Sequence, residues 1–165
     1  MWYNPVSCLK PGLFYLLDLL IGKLDANIQE KITKIGISFK FDENPGRIKM
    51  PFAGLKAKNF YLQDIHLAFL WCCSYATVAL NSMYYDKAGL DEDVVTFADS
   101  PELMKVNLPL TWARSLVDQV ILWPEGAACP DRPDSWSGDA TNLFEACAAY
   151  IILHEIGHLV LHDVW

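Results

Sequence analysis

Three of the four histidines in this chain lie between positions 154 and 162, close to its C-terminal end. The first two, His154 and His158, enclose Glu155 in the pattern H-E-x-x-H. On an α-helix, residues four positions apart project from the same side, one turn from each other. Two imidazoles placed in this way can bind one zinc ion, each at about 2.0–2.1 Å. The spacing therefore predicts a Zn²⁺ site on a C-terminal helix.

The residue that follows the first histidine supplies the chemistry that such a site needs. Glu155 lies about 100° around the helix from His154, a poor position for a ligand but within reach of a water on the metal. Zinc lowers the pKa of a bound water toward about 7, and a nearby carboxylate can take its proton as general base. The hydroxide then attacks a peptide carbonyl polarised by the same ion. We therefore predict a zinc-dependent endopeptidase with Glu155 as catalytic residue and a protein or peptide as substrate.

A catalytic zinc normally has three protein ligands and one water, so a third ligand is needed. His162 follows His158 at the same spacing, and the predicted metal ligands are accordingly His154, His158 and His162. On a straight helix, however, the first and last of these are about 12 Å apart along the axis, and one ion bridges them only if the helix breaks. Asp163 and a segment following residue 165 stay open as alternatives. The remaining histidine, His66, is expected to be a partly exposed residue near a helix start.

The elements that must position this site are mainly helical. The sequence predicts a short amphipathic helix over residues 13–24 and a long one over residues 62–85. Ser100-Pro101-Glu102 has the residue types of a helix start, and a further helix is expected from Leu110 to Leu122, before Pro124.

A loop and a capping signal precede the metal helix. Residues 123–140 contain three prolines and two glycines, and a loop of this length inside a compact domain is usually functional or mobile. Asn142 and Glu145 have the spacing of a capping box. The last helix is therefore expected to begin near Asn142 and to run to the end of the chain.

One region has the alternation of β-strands. Apolar and polar residues alternate over residues 35–41 and again over residues 48–52, on either side of the turn-forming run 42–46. Two such runs predict a β-hairpin, in which Pro51 marks an edge or an end. The expected fold class is α+β, mostly helical with a small β-hairpin and a zincin-like metal helix at the C-terminus.

Composition limits the classes of protein that this chain can belong to. Its 165 residues suit a single domain, and an apolar fraction of 53% excludes a disordered chain. A net charge of −7 argues against nucleic acid as a partner, because phosphate binding needs a basic surface.

Five cysteines, an odd number without a C-x-x-C pair, indicate reduced thiols and a cytoplasmic location. The uncharged run 67–85 approaches the length of a membrane span, but its Ser, Thr and Asn residues favour a buried core helix, so no membrane is expected.

Three stretches of sequence resemble the Lit-type phage-exclusion peptidases of bacteria, the U49 peptidase family. The first is Met50-Pro51-Phe52 with the apolar run 69–75, the second is Trp123-Pro124-Glu125-Gly126 with the later 132–135, and the third is the segment 151–158 that contains H-E-x-x-H. Together they span about residues 45–162.

The resemblance implies zinc ligands at His154 and His158, an acid/base at Glu155 and a cytoplasmic bacterial protein that cleaves a host protein during phage infection. Members of that family continue beyond the motif. Residues 1–165 are accordingly expected to form a single metallopeptidase-like domain that is truncated after the H-E-x-x-H helix.

Two other functions are compatible with the same residues. The segment 154–162 would also suit the ImmA/IrrE-like metallopeptidases, which cleave repressors, although 153 residues before the motif are many for that group. The alternative of a different class is an inactive zinc-binding interaction module, as in defence or toxin–antitoxin systems. Cleavage that depends on Glu155 distinguishes an enzyme from such a module.

Overall fold

The computed structural model describes residues 4, 6–42, 48–56, 58–88, 100–118 and 122–161. Within these ranges the chain is mostly helical, with a small mixed sheet, which agrees with the expected α+β class. The elements in chain order are α1 (Lys10–Ile21), α2 (Ala26–Ile35), β1 (Ser38–Asp42), β2 (Phe52–Gly54), β3 (Asn59–Gln63), α3 (Asp64–Ala88), α4 (Pro101–Ser115) and α5 (Ser137–Leu161).

The predicted β-hairpin is wrong, because the two strands expected to pair are separated by a third. The strand order is β1-β3-β2. Strand β3 pairs in parallel with β1 and antiparallel with β2, with Phe52 opposite Tyr61. The central strand β3 has largely buried side chains, including Phe60 and Leu62, whereas Phe52 of the edge strand β2 is exposed. The turn residues 43–47 lie outside the described residues.

Two helices differ from the prediction for local reasons. Helix α2 includes Ile35, where a strand was expected to begin. Asp25 caps the first turn of this helix, and Gly36, with a left-handed φ of 65°, ends it. Helix α4 starts at the predicted Ser100-Pro101 signal but continues through Pro109 to Ser115. The separate helix expected over residues 110–122 is therefore wrong. Pro109 is buried inside this helix. Because proline has no backbone N–H, it cannot donate a helical hydrogen bond at this position.

The core is built around α3 and α5. Its largest buried side chains include Trp71 and Tyr75 of α3 and Phe144 and Ile152 of α5. Both helices are long and apolar enough to cross a bilayer by length and composition alone, a test that the core helix of a soluble protein also passes. The burial of these four side chains is the pattern expected for core helices.

Helix α5 begins at Ser137, five residues before Asn142, so the predicted capping box is wrong and Glu145 lies inside the helix. Asp134 takes the capping role. Its Oδ1 accepts hydrogen bonds from the Ser137 amide at 3.1 Å and the Ser137 hydroxyl at 2.8 Å. Its Oδ2 accepts the Tyr75 hydroxyl of α3 at 2.6 Å. Burial alone would raise the pKa of Asp134, but these hydrogen bonds lower it. The start of α5 is thereby attached to the centre of α3.

We expect Tyr75→Phe to lower the free energy of unfolding by about 1.5–3 kcal/mol, because it removes a hydrogen bond to a charged group. Tyr84→Phe is the matched control, since Tyr84 is 49% exposed on the same helix and should change stability by less than about 0.5 kcal/mol. Urea denaturation followed by circular dichroism measures both. Equal stabilities of the two variants would contradict the role given to this hydrogen bond.

His66 is buried, at 6% exposure, and not partly exposed as expected. Its Nδ1 has no hydrogen-bond partner among the described residues. Burial lowers the pKa of His66, and a backbone hydrogen bond at Lys49 acts in the opposite direction. The folded protein therefore holds this imidazole in its neutral form to a lower pH than the unfolded chain does.

This burial predicts a loss of stability in mild acid. As the pH falls below about 6.5, the unfolded chain takes up a proton at His66 that the folded protein does not. The free energy of unfolding should then decrease by up to about 1.4 kcal/mol per pH unit, until the lowered pKa is reached. His66→Leu removes this contribution. Denaturation curves between pH 7 and 5 should be less pH-dependent for the variant, and identical slopes would contradict the prediction.

Candidate metal centre

His154 and His158 lie on the exposed side of the last turns of α5. Their Nε2 atoms are 3.1 Å apart, and their rings are perpendicular with centroids 4.7 Å apart. The opposite side of the same turns is buried through Ile152, Ile156 and Val160. Burial of that side against the core leaves the two imidazoles in contact with each other at the surface.

The distance between the two nitrogens fits a shared zinc ion. Two ligands at about 2.0–2.1 Å from a tetrahedral ion have their donor atoms about 3.4 Å apart. The observed 3.1 Å between Nε2 of His154 and Nε2 of His158 is close to that value. Imidazole nitrogen is also a donor that zinc prefers. The pair therefore fits the metal with only a small adjustment of the side chains.

Glu155 and His158 form one wall of a cavity of about 320 Å³. The facing wall is the segment around β2, with Pro51, Phe52 and Ala53. Glu155 is half-buried, whereas His158 is exposed. A carboxylate, an imidazole and the edge of a small sheet thus meet around one space.

Tyr150 stacks against His154 on the other side of the pair. The two ring centroids are 6.2 Å apart and the ring planes differ by 25°. Tyr150 lies one helical turn before His154, as His158 lies one turn after it. The stack limits the orientations that the His154 ring can take. Neighbouring groups commonly orient the side chains of metal ligands in proteins.

His162 and Asp163 lie outside the described residues, so their expected role as ligands stays a prediction. Across the ranges that the structure describes, no three His, Cys, Asp or Glu side chains form a group that could hold a metal ion. The described part of the site therefore consists of the two imidazoles, Glu155 and the walls around them.

Sequence reasoning missed both walls of this site. The spacing of four residues that identified the histidines also relates Tyr150 to His154, so that contact could have been found. The position of Phe52 could not, because it depends on the pairing of β2 with β3 and on the packing of α5 beneath the sheet.

The family of this chain is established by comparison with family models. A family model described as Peptidase U49 matches residues 61–165, almost two thirds of the chain, including α3, α4, α5 and the histidine pair. The chain belongs to the peptidase U49 family, which confirms the resemblance noted in its sequence. No curated protein and no solved structure matches it significantly.

We expect the protein to retain zinc through His154 and His158. Substitution of either residue by Ala should weaken zinc affinity by at least about a hundredfold, because even groups that only orient a ligand contribute 10–100-fold. Competition with a fluorescent chelator measures the affinity, and elemental analysis measures the stoichiometry. Tyr85→Phe, at an exposed position of α3, is the control and should bind as wild type does. Zinc affinity that is unchanged in both histidine variants would exclude this centre.

Proposed function

We propose that this protein is a zinc-dependent endopeptidase, in which His154 and His158 hold the metal and Glu155 acts as general acid/base. One observation carries the proposal: the Nε2 atoms of the pair are 3.1 Å apart, in a chain that belongs to a peptidase family. His162 is the first candidate for the third ligand, and Asp163 or a segment following residue 165 is the alternative.

The cavity beside the pair supports a peptide as the substrate. Among the described strands, β2 pairs only with β3, so its other edge is not paired with a strand. An extended peptide can add to such an edge through backbone hydrogen bonds. Bound along Pro51–Ala53, it would pass the cavity wall formed by Glu155 and His158. A scissile peptide bond would then lie over the two imidazoles.

Glu155 is placed for the proton transfers that hydrolysis requires. When bound, zinc would polarise the scissile carbonyl and make water a stronger acid at neutral pH. The Glu155 carboxylate would accept a proton from the attacking water and deliver it to the leaving amine, so that one group serves as base and then as acid. The half-buried carboxylate lies on the wall that faces β2. It is therefore on the side from which we propose that the substrate approaches.

We place this activity in the bacterial cytoplasm, in phage exclusion, with a protein substrate. The resemblance to Lit-type phage-exclusion peptidases supports this setting. The cysteines support it too, since they are odd in number, contain no C-x-x-C pair, and include the buried Cys72 and Cys129. The net charge of −7 favours a protein partner over nucleic acid.

Glu155→Gln should retain zinc but lower the rate of proteolysis by at least about a hundredfold, because it removes general acid–base catalysis while keeping the size of the side chain. Glu102→Gln, on α4, is the matched control and should leave the rate unchanged. The test measures cleavage of unfolded casein by the zinc-loaded protein, with zinc content determined in parallel.

The outcomes separate the alternative functions. Zinc binding without any cleavage, at any length of the chain, would replace the peptidase by an inactive zinc-binding module. Cleavage of a phage repressor, with host proteins left intact, would favour the ImmA/IrrE-like function over phage exclusion. Equal proteolysis by wild type and Glu155→Gln would exclude the proposed mechanism.

A further inference from the structure

An apolar groove lies on the other side of the histidine pair from β2. Its volume is about 440 Å³, and it runs between α1 and α5. Its walls are mainly aliphatic and aromatic: Leu16 and Leu20 from α1, and Ala146, Ala149, Tyr150 and Leu153 from α5. Neither the family match nor the proposed chemistry assigns it a role.

The groove adjoins the metal centre through one shared side chain. Tyr150 lines the groove and also stacks against the His154 ring. Leu153, another lining residue, directly precedes His154 in the chain. The end of the groove nearer the metal therefore lies within about one helical turn of the first imidazole.

The positions around α5 place the groove and the β2 cavity on opposite flanks of the pair. At 100° per residue, Leu153 and Tyr150 precede His154 around the helix, and His158 and Glu155 follow it in the same direction. A peptide that enters through the cavity at β2 and crosses the pair is thereby directed toward this groove.

We propose that the groove is the subsite for a bulky aliphatic side chain of the substrate, next to the scissile bond on the side away from β2. The inference rests on the proposed function and adds to it the class of residue that is recognised. Ala146 lies eight residues before His154, which corresponds to about 12 Å along the axis. That length holds about three residues of extended chain, so the groove accepts one or two side chains.

The chemistry of the groove selects its occupant. Tyr150 is 71% exposed, so an apolar side chain that covers it removes a large aromatic surface from water. The far end is polar and acidic, because Asn142 and Glu145 line it. Glu145 also lies close to α1, since its Oε1 atom would be 3.2 Å from a Cβ atom built on Gly12. An acidic side chain is therefore disfavoured, and Leu, Ile or Met fits best.

The test uses two hydroxamate inhibitors that differ only in an isobutyl group or a hydrogen beside the zinc-binding group. Calorimetry measures their binding to the full chain loaded with zinc. Burial of a leucine-sized side chain should make the isobutyl compound bind about ten- to a hundredfold more tightly. Ala146→Phe, which fills the groove from an exposed position, should reduce this ratio to less than about threefold. Affinity for the hydrogen compound should not change.

Thr111→Phe is the matched control, since it adds the same ring at an exposed position of α4 and should preserve the full ratio. Circular dichroism and melting temperatures verify that both variants are folded. Equal binding of the two compounds to wild type, or a preference that persists in Ala146→Phe, would overturn the inference while leaving the metal site intact. If neither compound binds the zinc-loaded wild type, the proposed function fails, and this inference fails with it.

Discussion

The site depends on one constraint: α5 must bury one side of its last turns and leave the other side exposed. Ile152, Ile156 and Val160 pack into the core, and their burial turns His154 and His158 outward. Since the two histidines are four residues apart on a helix, they then face the same region of space. The distance of 3.1 Å between their Nε2 atoms is therefore a consequence of the burial of the opposite side of α5.

The distant end of α5 helps to keep this orientation. Asp134 caps the helix and accepts the Tyr75 hydroxyl from α3, which ties the helix start to the most buried part of the protein. The helix continues for 25 residues from that point. A slip of one residue in its register would rotate the histidines by about 100°. Hydrogen bonds far from the histidine pair thus help to set which face of the helix is exposed.

The sequence predicted the parts of this arrangement that depend on local spacing. The α+β class, the long core helix and the start of α4 at Ser100 all follow from periodicity and capping, and the structure agrees. The pairing of β1 with β3 could not be found in this way, because it depends on contacts between residues far apart in the chain, and the strong apolar signal of α3 concealed the short strand that precedes it. The cap at Asp134 is local, since its hydrogen bonds reach Ser137 only three residues later, but the spacing of Asn142 and Glu145 indicated a different cap. Its hydrogen bond to Tyr75 depends on a distant part of the chain. The roles of His154, Glu155, His158 and His162 as site residues stay predictions.

The two spaces beside the histidine pair draw their walls from different parts of the chain. The family match covers residues 61–165, which contain the histidine pair, Glu155 and the helix that supports α5. Strand β2 and helix α1, which form the outer walls of the two spaces beside the pair, both precede residue 61. Changes in these walls would alter which side chains fit, while the contact between His154 and His158 stays fixed by the core. In the proposed function, each space that receives the substrate therefore has one wall on the helix that carries His154 and His158 and the other wall on residues before position 61.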